Sequence, residues 1–191
     1  MTDLLTMFEI RRSVAPHLMT GPGPSGEERN LLLRIASRIP DHGKLVPWRF
    51  IVFEGDARVQ AGFVLGKRFA VLHPEATEEM VSVESHRLAR APLVIAVVSR
   101  AAPHVKIPEW EQELSAGAAC AALTFAANAM GFVTAWLTEW FAYDREVLTA
   151  FGLTADERVA GFIHIGRAVE KPSDRPRPEL TDIVTHFKPQ E

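Results

Sequence analysis

From Ser115 to Thr138 the chain carries no charged side chain. This run constrains the fold more than any other feature. A stretch that long either crosses a membrane or is covered by protein. Alanine is its commonest residue, with Gly117, Asn128 and Gly131 inside it. Alanine adds little to membrane insertion, and Gly131 reads as the glycine that ends a helix before a strand. The pattern predicts a helix over 109–130, buried on all sides of a soluble core, then a strand over Phe132–Leu137.

Around that helix the chain alternates elements. A helix is predicted over 2–12, with Leu4, Leu5, Phe8 and Ile10 on its apolar side. Gly-Pro-Gly-Pro-Ser-Gly at 21–26 has two prolines where a phosphate cradle would need N–H groups, so it reads as a connector. Ser25 and Glu28 form a capping box for a helix reaching about Ile39. Phe50–Phe53 is a short strand. Helices are predicted over 56–72 and 75–90, split by His73-Pro74. Leu93–Val98 is continuously apolar and reads as a central strand covered on both faces. A helix over Asp144–Phe151, capped by Asp144, precedes a strand over Val159–Gly166. After Arg167 comes a proline-rich tail, which cannot build a core of its own and is expected to lie against something, such as a second subunit. Strands alternating with helices indicate an α+β or α/β fold around a central sheet.

Composition and motifs remove several function classes. With 191 residues and 47% hydrophobic content the chain is long enough for one domain with a full core. Its net charge of −3 argues against broad binding to nucleic acid or membrane surfaces. The acidic N-terminus does not read as a signal peptide. One cysteine, Cys120, gives neither a disulfide framework nor a cysteine metal cluster, and a cytoplasmic setting is expected. Gly-x-Ser-x-Gly and His-Glu-x-x-His are absent, and the Gly-x-Gly-x-x-Gly spacing occurs only in the Gly21–Gly26 connector, where Pro22 and Pro24 remove N–H groups a dinucleotide site would use. Glu109, Glu111 and Glu113 read as the acidic first turn of a helix.

Two stretches remain. Arg38 to Phe50 carries Pro40 and Pro47, Gly43, His42, Trp48 and several cations between a helix and a strand. Prolines make such a loop stiff, and stiff cationic, aromatic loops suit anionic planar ligands. Trp48 reads there as an exposed type. Arg11-Arg12-Ser13 follows the first helix. These residues can either complement the helix dipole or grip a phosphate.

Taken in order, Arg11-Arg12-Ser13, Pro40-Asp-His42, Pro47-Trp48-Arg49-Phe50, Trp110 to Gly117 and Gly131 to Trp136 resemble the FMN-dependent nitroreductase family. The likeness is strongest to its short, YdjA-type NAD(P)H branch and spans about residues 2–187. The resemblance implies one FMN-binding domain over 1–191, with about 168–191 as an extended C-terminal arm. It implies an α+β homodimer, with a central mixed sheet flanked by helices and FMN at the subunit interface. Arg11, Arg12 and Ser13 would hold the phosphate and ribityl chain. Arg38 and His42 would reach the flavin from the other subunit. Trp136, Leu137 and Thr138 would line the ring. The chemistry would belong to flavin N5 rather than to a catalytic side chain, with NAD(P)H as donor and nitroaromatics, quinones or similar electron-poor molecules as acceptors in a ping-pong cycle.

The sequence departs from the family pattern at Ala15, where relatives often carry a cation, and at Lys44 and Val46, where they often carry Asn and Gln. Arg38 is expected to replace the missing cation, and Arg175 and Arg177 are candidates for the phosphate site. Three other readings stay open: a specialised flavoenzyme of this fold, a flavin carrier or sensor without turnover, and an interaction protein with no cofactor.

Overall fold

A computed structural model describes residues 4–170 and 172–189. Helices α1 (Leu4–Ile10), α2 (Gly26–Ala36), α3 (Asp56–Leu72), α4 (Glu78–Ser85), α5 (Glu109–Ala129), α6 (Arg145–Ala150) and α7 (Leu180–Ile183) surround strands β1 (Met19–Thr20), β2 (Trp48–Glu54), β3 (Leu93–Ser99), β4 (Val133–Leu137) and β5 (Arg158–Ala168). The class is α+β. Strand β3 lies between β2 and β5, while β4 and β1 also pair with β5. Every pairing among the described residues is antiparallel, where the resemblance implied a mixed sheet.

Strand β3 is central as its unbroken apolar run requires, with all seven residues buried. Val94, Ala96 and Val98 face a core that includes Leu65 of α3, Val147 and Leu148 of α6, and Phe162 of β5. Leu93, Ile95 and Val97 face the other core, with Leu32 of α2 and Ala116, Ala119, Cys120 and Leu123 of α5. Small residues on α5 let it approach the sheet closely.

The capping box at Ser25 is complete: Ser25 Oγ accepts from the Glu28 N–H, and the Glu28 carboxylate accepts from the Ser25 N–H. Asp144 caps α6 through the Val147 N–H at 2.9 Å. Gly131 takes φ +81° just after α5, in the left-handed region that glycine favours.

Several expectations change. The first helix is seen over Leu4–Ile10, residues 2 and 3 lying outside the described residues. The helix predicted over 75–90 is instead α4, capped by Thr77, followed by a separate 3-10 turn at Arg87–Arg90. At the split α4 packs tightly on α3, since a Cβ on Gly62 of α3 would lie 1.9 Å from the Ser85 carbonyl that ends α4. The short strand at Met19–Thr20 and helix α7 have no clear periodic signal.

Helix α5 is not buried all round. Its sheet-facing side is, but Leu114 is 53% exposed and Phe125 37% exposed. Helix α1 lies over part of the open side, with Phe8 meeting Phe125 edge-on at 4.9 Å between ring centroids. Leu4, Leu5 and Ile10 of α1 are themselves exposed. A charge-free helix face is therefore left partly uncovered within one chain, beside further apolar surface.

Candidate functional site

Arg11 and Arg12 are half-buried just past α1, and Ser13 is exposed. The next residue, Val14, is buried and donates its N–H to the Thr134 carbonyl at 3.1 Å, which ties the segment to β4. The C-terminal arm returns to the same place. Arg12 donates to the Ser173 carbonyl and lies 3.9 Å from Asp174. Arg177 lies 3.6 Å from Asp174 and donates to the Arg11 carbonyl at 3.5 Å. Burial, followed by the guanidinium groups of Arg177, Arg12 and Arg175, lowers the Arg11 pKa. Arg12 and Arg177 share the Asp174 carboxylate, and with Arg11 and Arg175 nearby four guanidinium groups meet one acid, the excess of positive charge that a dianionic phosphate requires.

The loop at residues 38–50 is stiff for reasons beyond its prolines. The Asp41 carboxylate accepts from the N–H groups of Leu45 and Val46, both at 3.0 Å. Those bonds fold the loop back on itself, with Gly43 at φ +71°, Lys44 at +56° and Val46 at +49°. A β-branched residue in that region is strained. Arg100 holds it there by donating to the Val46 carbonyl at 2.8 Å.

Trp48 is buried, contrary to its reading as exposed. Its indole donates to Ser115 Oγ at 3.1 Å, and that hydroxyl donates to the Pro40 carbonyl at 2.7 Å. The ring packs in the core that α2 and α5 make with the sheet, at the first residue of β2. His42 stays exposed, with Nδ1 2.7 Å from a Glu111 carboxylate oxygen at the start of α5. Arg38 is exposed in an open cleft of about 500 Å³ that Leu31, Arg34, Ile35 and Ser37 also line.

At the end of β4, Trp136 is 43% exposed and its Nε1 donates to the Ala160 carbonyl at 3.0 Å. The indole lies directly on β5, and a Cβ on Gly161 would come within 2.1 Å of Nε1. Leu137 and Thr138 are half-buried. Glu139 follows at φ +57°, ψ 173°, a conformation that glycine adopts freely and other residues do not. Its carboxylate pairs with Arg87 at 3.0 Å and with Arg90.

These parts do not converge within one chain. The loop at 38–50 is anchored to the first half of α5 through Ser115 and Glu111. The Arg11-Arg12-Ser13 segment is anchored through Thr134, whose hydroxyl accepts from Asn128 near the other end of α5. From Ser115 to Asn128 the helix axis rises about 20 Å. The expected groups thus form two clusters, with Trp136, Leu137 and Thr138 on the strand that turns back from the second.

The non-glycine residues with positive φ among the described residues are Lys44, Val46 and Glu139. Of the two segments singled out as flavin walls, the loop at 38–50 holds Lys44 and Val46, and Glu139 directly follows the Trp136–Thr138 segment; backbone strain of this kind concentrates at functional sites. Sequence reasoning missed Asp41, Arg100, Glu139 and the Arg87–Arg90 turn as parts of these walls. Asp41 is bonded within its own loop, whereas the partners of Arg100, Glu139 and the turn lie far along the chain, where no local spacing marks them.

The Nitroreductase family model matches residues 9–167. The chain is 35% identical over 187 residues to "Putative NAD(P)H nitroreductase" of Haemophilus influenzae, covering 97% of this chain and 100% of that protein. It is 33% identical over 186 residues to "Putative NAD(P)H nitroreductase YdjA" of Escherichia coli (strain K12), with the same coverage. Its fold matches the crystal structure of a putative nitroreductase in complex with FMN from Desulfovibrio desulfuricans, with a TM-score of 0.74, 23% identity, and 98% of each chain covered. A family model spanning most of the chain and full-length relatives above 30% identity place this protein in the nitroreductase family.

Proposed function

We propose that the chain is an FMN-dependent NAD(P)H oxidoreductase that reduces nitroaromatics, quinones or similar electron-poor molecules by a ping-pong mechanism. The observation that carries this reading is the gathering of Arg11, Arg12, Arg175 and Arg177 beside Ser13, tied to β4. The full-length relatives named NAD(P)H nitroreductases and the FMN complex of a structural neighbour support it.

The residues fit FMN. Arg11, Arg12, Arg175 and Arg177 would neutralise the phosphate, with Ser13 donating a hydroxyl hydrogen bond. Trp136, Leu137 and Thr138 would form an apolar wall that keeps water from one face of the ring. Arg38 of the partner subunit and His42 of the partner subunit would approach from the other side, since the two clusters lie at opposite ends of α5. Arg38 of the partner subunit would supply the cation that Ala15 lacks. Bound FMN supplies the hydride-accepting and hydride-donating centre, so no side chain is assigned as a catalytic acid or nucleophile. Donor and acceptor would use the same open face in turn.

This reading makes the protein a homodimer. The open face of α5 and the exposed apolar residues of α1 are the surface we assign to the partner. Residues 1–191 form one FMN domain, and the arm completes its phosphate site. We assign the protein to the cytoplasm. Among the described residues no helix is long and apolar enough to cross a membrane. The Cys120 thiol is buried, and burial pushes its pKa up to about 12.

The test is the visible spectrum of the purified protein after incubation with FMN and gel filtration, before and after anaerobic NADH or NADPH. The expected result is retained flavin that bleaches with one donor and recovers with a quinone or a nitroaromatic. Retained flavin that neither donor bleaches points to a carrier or sensor. A colourless protein overturns the reading.

A further inference from the structure

Glu139 takes a glycine-like backbone conformation and is gripped by two arginines from one 3-10 turn. Its side chain is only 15% exposed. Arg87 reaches one of its oxygens and Arg90 the other. Arg87 also pairs with Glu84, a buried carboxylate at the end of α4 that accepts from the Trp140 indole at 2.8 Å. Glu84, Arg87, Glu139 and Arg90 thus form an alternating chain of charges that joins the α4–β3 segment to the end of β4. Ion pairs of this number and burial are more than a surface residue needs, and the backbone they hold is strained rather than relaxed.

We propose that Glu139 is a positioning residue, with Arg87 and Arg90 as a clamp that forces the chain after Thr138 into its left-handed turn and so fixes the Trp136–Thr138 wall of the flavin site. The inference rests on the FMN reading. An ordinary residue at 139 would relax toward negative φ without the clamp, and Thr138 would move with it. A glycine would reach the same conformation without strain and without the clamp. The clamp therefore substitutes for a glycine, and it ties the wall's geometry to the α4–β3 segment.

The test compares Glu139→Ala, Glu139→Gly and Glu139→Gln with the wild-type holoprotein, reading FMN dissociation constant and flavin midpoint potential alongside thermal unfolding. Glu139→Ala should weaken FMN about tenfold and shift the potential. Glu139→Gly should recover most of that loss although it also lacks the ion pairs. Glu139→Gln, whose amide oxygen can still accept from one of the two arginines, should fall between wild type and alanine. A merely structural role predicts variants that differ in thermal unfolding while the FMN dissociation constant and the midpoint potential stay at the wild-type values. Glycine no better than alanine, or alanine equal to wild type in both flavin readouts, overturns the inference while leaving the FMN reading intact. Wild-type protein that takes up no FMN removes both.

Discussion

Arg49 and Glu157 form a two-pronged ion pair that joins the start of β2 to the loop before β5. Arg49 Nε lies 2.7 Å from one carboxylate oxygen and a terminal nitrogen lies 2.8 Å from the other. The same carboxylate accepts from the Thr154 N–H at 2.9 Å. The Arg49 hydrogen bonds chiefly hold the Glu157 pKa down at about 2 against an ordinary value of 4.5, outweighing the cost of burial. A carboxyl whose folded pKa is depressed contributes stability above its ordinary value and loses it as pH falls through the folded value. We expect Glu157→Gln to cost roughly 2 kcal/mol at pH 7, allowing for the partial exposure of Arg49. The difference from wild type should shrink as pH falls from about 4.5 toward 2. Urea midpoints across that range check it, and a pH-independent difference would count against the pair.

His164 titrates in a higher window. It is fully buried in β5, and neither ring nitrogen has a hydrogen-bond partner. Burial, then the Arg90 guanidinium, lowers its pKa from 6.5 to about 4. The ring folds neutral. Its depressed pKa leaves stability intact above about 6.5 and removes it progressively as pH falls through about 4, by roughly 3 kcal/mol in all. His164→Leu should flatten the stability profile between those values. A profile as steep as wild type would show that other groups control this range.

The arginine cluster gives a prediction on affinity. Arg177→Ala should weaken FMN by about tenfold, as expected for the loss of one charge-assisted contact to phosphate. Asp174→Asn should strengthen it, because Asp174 offsets the positive charge of Arg12 and Arg177. Both effects should diminish in high salt. Fluorescence titration with FMN measures them, and an Arg177→Ala affinity equal to wild type would remove the arm from the site.

Phe125→Glu places a charge in the open apolar face of α5, where Phe8 packs against the ring. In the proposed dimer that carboxylate would be desolvated. We expect a monomer in gel filtration that no longer retains FMN, because Arg38 and His42 cannot reach a flavin bound at the opposite end of the same α5. A folded monomer that still holds FMN tightly would contradict the two-subunit site.

The elements that could be read from the sequence are those set by neighbouring residues. Ser25 and Glu28 announce the start of α2, Asp144 announces α6, and the apolar run at Leu93–Val98 requires a strand covered on both faces. Capping and hydrophobic periodicity act within a few residues, so the local pattern carries them. The order of motifs from Arg11 to Trp136 likewise pointed to the nitroreductase family before any contact was known. Tertiary structure alone decided the rest. It turned the Trp48 ring inward onto Ser115, left one face of α5 uncovered, folded the arm's Arg177 back to Arg11, and set Glu139 between Arg87 and Arg90. Each of these joins positions far apart in the chain, where packing and charge pairing override what any short stretch prefers by itself.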